Sequence, residues 1–230
     1  MTQKQNLSNN TKELFLFDDG QCADFDYIIG TDEAGRGPGA GPVFAAAVCF
    51  KTYDETLIKL LNTLNDSKKL SEKCRLELFE VIIQNSICSI HSGSVEDIER
   101  KNILNTSLDC MKEACLDVRK HLMGQKCLVL VDGNKLIKNF PIQQKTIVKG
   151  DAKSAAIAAA SILAKVTRDK FMTALSDDFP QYGWDKNKGD LTGEHIEAIK
   201  KFGPTKWHRP KFLRKILDEN SQLNLFETEK

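Results

Sequence analysis

Residues 27–48 read YIIGTDEAGRGPGAGPVFAAAV, an apolar run that ends in two adjacent carboxylates, a glycine-rich segment with one arginine, and a second apolar run. This order predicts a strand, a turn and a second strand. Asp32 and Glu33 then lie at a strand end, where neighbouring side chains leave on opposite faces. They can converge only if the chain bends there or if they share a centre from two sides. Residues 35–41, called the glycine loop below, permit such a bend because glycine tolerates φ > 0.

Three interpretations of this segment compete. A hairpin with a solvated acidic tip is the plainest, but it does not explain why a turn needs so many glycines. Residues 35–40 also fit the dinucleotide-binding pattern G-x-G-x-x-A, yet that pattern needs a following helix, and Pro42 and the alanine-rich run 43–48 continue as strand. The third interpretation is a divalent-metal site, since adjacent hard oxygen ligands beside bare main-chain N–H groups suit Mg²⁺ and a phosphodiester.

Two further carboxylates follow predicted elements. The apolar run 127–131 does not alternate, as expected of a strand covered on both faces, and it ends in Asp132-Gly133. An Asp-Gly pair is by default a turn, but sites form outside strand ends in sheets with helices on both faces, which favours a functional Asp132. Asp151 precedes an alanine-rich helix predicted over residues 152–175, where an aspartate is most often an N-cap.

Composition indicates a globular protein with one sizeable core. The chain has 230 residues, 41% hydrophobic and 28% charged, and a net charge of only +1. A nucleic-acid enzyme with this balance would need a local basic stripe. Its seven cysteines include no C-x-x-C pair, which is typical of free thiols in a reducing cytosol. Without an apolar run of membrane-span length or a signal-like start, we expect a soluble, cytoplasmic monomer.

Basic residues supply two candidate phosphate contacts and one candidate surface. Lys68 and Lys69 lie in a predicted loop before a helix that Ser71 would cap, a better place for phosphate contacts than an average lysine pair has. Beyond Asp178, lysines and arginines alternate with aromatic residues, as in a nucleic-acid-facing extension. The alternative is a solvated lysine-rich helix. Basic residues that would share one face of a helix there are Lys211, Arg214 and Lys215.

The run from Asp32 to Gly37, followed by Pro38 and residues 41–43, resembles the signature of the bacterial type 2 ribonucleases H (RNase HII). This family cuts RNA in RNA–DNA hybrids and at single ribonucleotides embedded in DNA. The resemblance covers roughly residues 26–212. It recurs at residues 66–71, 131–133, 150–151, 158–169 and 180–184.

The element pattern predicts an α/β fold, and the resemblance makes it an RNase H-like mixed five-stranded sheet flanked by helices. The first three strands are expected to be antiparallel, and a small helical C-terminal extension follows. The predicted divisions are a disordered N-terminal tail over 1–13, a catalytic domain over 14–178, a substrate-binding extension over 179–217 and a flexible tail over 218–230.

The resemblance also implies a mechanism. Four carboxylates would hold two Mg²⁺ or Mn²⁺ ions and hydrolyse a phosphodiester 5′ of a ribonucleotide, leaving 5′-phosphate and 3′-hydroxyl ends. They are Asp32, Glu33, Asp132 and Asp151. The alternatives are another metal-dependent nuclease of the RNase H superfamily and a non-catalytic hybrid-binding module. Against the module, unneeded clustered acids would carry only a cost.

The resemblance also implies that the first part of the glycine loop recognises the substrate. Gly35, Arg36 and Gly37 would recognise the ribose 2′-OH through main-chain groups, because a backbone that comes this close distinguishes RNA from DNA. One position departs from the family pattern: Asp190 stands where a tyrosine usually packs against the following deoxyribose. An aspartate cannot stack, so weaker cutting at single ribonucleotides is expected, unless Tyr182 or Trp184 compensates.

The C-terminal tail carries a short motif, QLNLF, at residues 222–226. It resembles the bacterial sliding-clamp-binding pentapeptide, which makes the DNA sliding clamp a candidate partner. Gln222 would bond at the mouth of the clamp pocket, and Leu223, Leu225 and Phe226 would enter an apolar groove. The alternative is that these apolar side chains fold back onto the domain.

Overall fold

The computed structural model describes the backbone of residues 2–217 and the side chains of residues 10–217. The strands are β1 (Tyr27–Ala34), β2 (Val43–Phe50), β3 (Ser86–Gly93), β4 (Cys127–Asp132) and β5 (Gln143–Ile147). The helices are α1 (Thr2–Asp19), α2 (Glu55–Leu60), α3 (Glu72–Asn85), α4 (Val95–Lys101), α5 (Ile103–Lys120), α6 (Ala155–Asp178), α7 (Trp184–Asn187) and α8 (Gly193–Phe202). No helix within residues 2–217 is long and apolar enough to cross a membrane.

The five strands form one mixed sheet in the order β3-β2-β1-β4-β5. β1 pairs antiparallel with β2 and parallel with β4, and β4 pairs parallel with β5. The predicted α/β fold with a mixed five-stranded sheet is therefore confirmed. The parallel pairing sets Thr31 opposite Val131, so the ends of β1 and β4 lie side by side. Asp32 and Asp132 are the next residues along these two strands.

Helix α6 packs closely on the sheet because the residues on both sides of the contact have small side chains or none. A Cβ on Gly30 of β1 would stand 2.2 Å from the main-chain carbon of Ala156, so only glycine fits at this crossing. The alanines of the first half of α6 are fully buried, from Ala155 to Ala164. This contact fixes the start of α6, which begins four residues after Asp151, against the central strand.

The N-terminal segment is helical in this structure, where the sequence led us to expect a disordered tail over residues 1–13. Helix α1 covers Thr2–Asp19, and the hydroxyl of Thr11 is buried, 3.0 Å from the main-chain oxygen of Asn62. Leu14 and Phe15 belong to the same core as α2 and α6. The polar composition of residues 1–13 concealed that this segment continues into a helix with a buried face.

The described chain divides into two compact units. The sheet unit consists of residues 2–34, 44–92 and 107–167, and the loop unit consists of residues 35–43, 93–106 and 168–217. The loop unit thus contains the glycine loop and is built from three stretches of chain. The boundary predicted at residues 178 and 179 falls inside it.

Candidate active site

Main-chain donors orient two carboxylates at the ends of β1 and β4. The Oδ1 atom of Asp32, a buried side chain, accepts a hydrogen bond from the Glu33 N–H at 2.7 Å. The Oδ1 atom of Asp132 accepts one from the Gly150 N–H, also at 2.7 Å. A Cβ at Gly150 would stand 2.6 Å from Cδ1 of Ile157 and 3.1 Å from the same Asp132 Oδ1, so a side chain there would require these groups to shift. A main-chain N–H thus fixes one oxygen of each carboxylate.

The four predicted carboxylates act on one another electrostatically. Burial, and then the charges of Glu33 and Asp132, raise the pKa of Asp32 well above its usual value. Burial also raises the pKa of Asp151, with further contributions from Asp66 and Asp132. The structure therefore brings the predicted set together at one edge of the sheet, where the charge of Asp132 contributes to raising the pKa values of both Asp32 and Asp151.

The donor chemistry of this set fits a divalent cation. Hard carboxylate oxygens are the ligands that Mg²⁺ and Mn²⁺ prefer, and a cation would relieve the repulsion that raises these pKa values. Among the side chains of residues 10–217, no three His, Cys, Asp or Glu groups are arranged so that they could hold a metal ion without moving. Holding an ion thus requires side-chain rotation, which the partly exposed Glu33 and Asp151 permit.

Three residues near these carboxylates were missed by sequence reasoning. The hydroxyl of Ser67 lies 2.8 Å from that of Ser161, and a side-chain hydrogen bond from Ser161 favours the charged form of Asp32. A side-chain hydrogen bond also joins Asp66 to Asp151. All three residues lie in segments 66–71 and 158–169, which carried the family resemblance. That resemblance was the only signal that could have found them.

Lys68 and Lys69 occupy a short 3₁₀ helix, Ser67–Lys69, and both are exposed. The Asp66 side chain caps this turn by accepting the Lys68 N–H at 2.9 Å. The charge of Lys68 lowers the pKa of Asp151, which opposes the effect of burial there. Lys68 therefore lies within electrostatic reach of the carboxylates, where a phosphate contact was predicted.

The glycine loop belongs to the loop unit and has an unusual backbone. Gly35 and Gly41 have φ values of 97° and 83°, the left-handed region that favours glycine. Arg36 and Gly37 are exposed. Within the described chain, no atom lies within 4 Å of the position that a Cβ of Gly37 would take. Of the three predicted reading residues, Arg36 and Gly37 are therefore accessible, whereas Gly35 is only partly exposed.

Aromatic residues predicted to face nucleic acid are instead core residues of the loop unit. Trp184 and Tyr182 are buried and stack with ring centroids 5.1 Å apart. The Trp184 Nε1–H donates to Nε2 of His195 at 3.0 Å, and Nε2 of His208 lies 3.1 Å from the same atom. Burial lowers the pKa of His208 to about 4, so this network consists of neutral rings. Neither Tyr182 nor Trp184 is available to replace the missing tyrosine at position 190.

The predicted clamp-binding residues Gln222, Leu223, Leu225 and Phe226 lie outside the described residues. The basic face expected near the C-terminus is partly in place. Arg214 and Lys215 are exposed in the helical stretch 210–217, and Lys211 forms an ion pair with Glu99 at 3.9 Å.

Comparison with known proteins places the chain in one family. A model of the family described as Ribonuclease HII matches residues 29–215. Ribonuclease HII of Fusobacterium nucleatum is 47% identical over 210 residues, which cover 91% of this chain and 94% of that protein. Ribonuclease HII of Pelagibacter ubique is 47% identical over 188 residues, covering 80% and 95% respectively.

Solved structures agree with this assignment. A chain of the PCNA:RNase HII complex from Archaeoglobus fulgidus matches with a TM-score of 0.64 and 26% identity, covering 80% of this chain and 93% of that one. Bst-RNase HIII in complex with Mn²⁺ matches with a TM-score of 0.72 over 89% of this chain and 73% of that one, and its 15% identity shows a shared fold alone. The predicted family is confirmed: the chain belongs to the ribonuclease HII family, metal-dependent endonucleases that cleave RNA in RNA–DNA hybrids.

Proposed function

We propose that this chain also incises duplex DNA on the 5′ side of single embedded ribonucleotides, by two-metal-ion hydrolysis that leaves 5′-phosphate and 3′-hydroxyl ends. The observation that carries the proposal is the pairing of β1 with β4. It brings Asp32 and Asp132 to one sheet edge, where their charges act on each other.

Each carboxylate has a role in this proposal. Asp32, Glu33, Asp132 and Asp151 hold two divalent ions, Mg²⁺ or Mn²⁺. When bound, the ions supply an activated water and neutralise charge on the departing 3′-oxygen. The Glu33 and Gly150 N–H groups orient the carboxylates of Asp32 and Asp132, so the rotation needed to hold the ions falls mainly on Glu33 and Asp151.

Selectivity for ribonucleotides is assigned to the glycine loop, which follows Glu33 in the chain after one intervening residue. Gly35, Arg36 and Gly37 contact the ribose 2′-OH through main-chain groups, and Lys68 and Lys69 contact phosphate. Exposure of Arg36, Gly37 and both lysines supports these assignments.

The test is incision of a duplex with one ribonucleotide, in Mg²⁺ and separately in Mn²⁺. We expect a single cut on the 5′ side of the ribonucleotide, with end-labelled products that match 5′-phosphate and 3′-hydroxyl markers. The all-DNA duplex of the same sequence is the matched substrate control. Equal cutting of both duplexes would favour another superfamily nuclease, and tight binding without any incision would favour a binding module.

A second proposal concerns the tail. We infer that Gln222, Leu223, Leu225 and Phe226 dock on a DNA sliding clamp and tether the enzyme at newly made DNA. The Archaeoglobus fulgidus relative was solved as a complex with PCNA, which supports this partner class. Even a micromolar contact would raise the effective concentration of enzyme at DNA.

Binding of a peptide of residues 218–230 to a purified bacterial clamp tests this inference. In the full-length protein, the Leu225→Ala, Phe226→Ala double variant should lose clamp binding and keep its melting temperature and its activity on free hybrid. If the double variant instead melts earlier and binds the clamp normally, these side chains belong to the folded domain.

A further inference from the structure

One arginine side chain binds most of the glycine loop. The Arg209 guanidinium is fully buried and donates to four main-chain carbonyls. Its Nε bonds to Gly41 at 2.9 Å and its Nη2 to Gly35 at 2.7 Å. Its Nη1 bonds to Pro38 at 2.7 Å and to Arg36 at 3.3 Å. The main-chain N–H of Arg209 donates to a fifth carbonyl, that of Gly39, at 2.8 Å.

A second buried arginine, Arg168, completes the set. Its Nη2 donates to the carbonyl of Ala40 at 3.1 Å and its Nε to that of Pro42 at 3.1 Å. Its Nη1 reaches the carbonyl of Lys188 at 3.0 Å. Six of the seven carbonyls of residues 35–41 thus accept hydrogen bonds from these two arginines.

The arginines also explain the glycine at the start of the loop. A Cβ on Gly35 would stand 2.1 Å from Nε of Arg168, so any side chain there would displace this guanidinium. Glycine is therefore required at position 35 by the arginine as well as by its positive φ. The glycine at position 35 and the position of the Arg168 guanidinium therefore depend on each other.

Burying two guanidinium groups here costs free energy, because each charge loses its contact with water. Burial, and then the charge of Arg168, lower the pKa of Arg209 to about 9, and burial also lowers the pKa of Arg168. The hydrogen bonds described above go to neutral carbonyls. A planar fork with five donors suits such an arrangement, whereas a lysine ammonium cannot reach carbonyls on several sides at once. Apolar side chains could fill the same space without the free-energy cost of burying two charges. The two buried guanidiniums therefore indicate a role beyond packing.

We propose that Arg209, with Arg168, is a positioning residue for ribonucleotide discrimination, because its guanidinium fixes the main-chain conformation of the glycine loop. This inference rests on the proposed reading of the 2′-OH by that loop. Neither arginine contacts the substrate in this scheme. The fork geometry of Arg209 serves discrimination, and its positive charge adds only a general attraction for phosphate.

The test separates fork from charge with Arg209→Lys in the full chain. Dissociation constants are measured in Ca²⁺, which limits cleavage, for a DNA duplex with one ribonucleotide and for its all-DNA counterpart. We expect the preference for the ribonucleotide to fall by roughly tenfold or more, with the all-DNA constant changing less than about threefold. Arg119→Lys is the matched control, since Arg119 donates to the carbonyl of Leu122 in the sheet unit.

The outcomes are distinguishable. If the wild type shows no preference for the ribonucleotide, the proposed function fails. If the wild type discriminates and a folded Arg209→Lys does so equally well, the positioning role is wrong. Should Arg209→Lys not fold, Arg168→Lys takes its place, because it removes donors to Ala40, Pro42 and Lys188 only. The same loss of preference is expected there, and its absence would overturn the inference.

Discussion

The hydroxyl groups of Ser67 and Ser161 lie 2.8 Å apart in the interior of the sheet unit, although 94 residues separate them in the sequence. Ser161 also donates a hydrogen bond to Asp32, and this bond partly opposes the rise in the pKa of that carboxylate that burial causes. A hydroxyl has one proton, so when Ser161 donates to Asp32, Ser67 must donate to Ser161. This chain of bonds connects the turn that carries Lys68 to the carboxylate at the end of β1.

Replacing Ser161 by alanine should therefore impair catalysis more than substrate binding. Loss of a hydrogen bond to a charged group costs about 1.5–3 kcal/mol, so kcat should fall by roughly 10- to 100-fold on a hybrid substrate. The KM should stay within about threefold, because Ser161 is buried and does not face substrate. Ser176→Ala is the matched control, since this buried hydroxyl bonds to Asp185 in the loop unit. An equal loss in both variants would refute a specific role for Ser161.

Asp132→Asn should separate folding from metal binding. The asparagine Oδ1 can still accept the Gly150 N–H, so the fold should persist, and removing one charge should relieve repulsion at Asp32 and Asp151. We expect kcat to fall on the order of a thousandfold and the melting temperature of the metal-free protein to be unchanged or higher. The rise in melting temperature that Mn²⁺ gives the wild type should be lost.

Asp26→Asn is the control for this experiment, because the Asp26 carboxylate also binds a main-chain N–H, that of Lys126, before the start of β1. Asp32→Asn should behave as Asp132→Asn does. Turnover by both active-site variants at high Mg²⁺ would show that these residues are not the ligands.

Asp18 should make stability depend on pH. Its side chain is buried and accepts the Ala156 N–H at the start of α6, and burial raises its pKa from 3.8 to about 7. Because the folded state binds the proton more tightly, stability from this group is lost as pH rises from about 4 to about 7. Urea unfolding from pH 5 to pH 8 should show Asp18→Asn gaining roughly 2–3 kcal/mol relative to the wild type. A gap that does not vary with pH would show that Asp18 does not titrate in this range.

Asp190→Tyr should strengthen recognition of a single ribonucleotide. The Asp190 side chain is exposed, and its main-chain oxygen accepts a hydrogen bond from Nδ1 of His195, which any residue at this position can keep. We expect the ratio of single-ribonucleotide to long-hybrid cutting to rise several-fold, as one stacking contact is worth about 1–3 kcal/mol. Asp185→Tyr, also exposed in the loop unit, is the control. An unchanged ratio would mean that position 190 does not contact the junction.

The elements and the carboxylates were predictable because local signals define them. The apolar runs that end in Asp32 and Asp132 are β1 and β4, and the alanine-rich segment is α6. Helix α1 was missed since its first turns are polar and Thr11, a buried position before Leu14 and Phe15, is hydrogen-bonded rather than apolar. The spacing of apolar residues in a sequence reveals the buried face of a helix where that face is apolar, and it does not reveal a buried hydroxyl group.

The support of the glycine loop could not be predicted from sequence. Arg168 and Arg209 occur among lysines and arginines that are exposed, and sequence alone does not distinguish a guanidinium that solvent surrounds from one that carbonyls surround. The carbonyls of residues 40–42 that these two guanidiniums bind lie more than 120 residues away in the chain. Tyr182 and Trp184 illustrate the same difficulty, since aromatic residues near basic ones can form a core as well as a binding surface.

The hydrogen bonds from Arg209 to the carbonyls of residues 35–41 also imply an order of events during synthesis. The ribosome makes the glycine loop early, whereas the arginine that holds its carbonyls comes 168 residues after Gly41. Every strand of the sheet is complete before Arg209 is added. A growing chain can therefore possess its carboxylates before the glycine loop has a fixed conformation, and the proposed selectivity for ribonucleotides would be acquired only after Arg209 has been added.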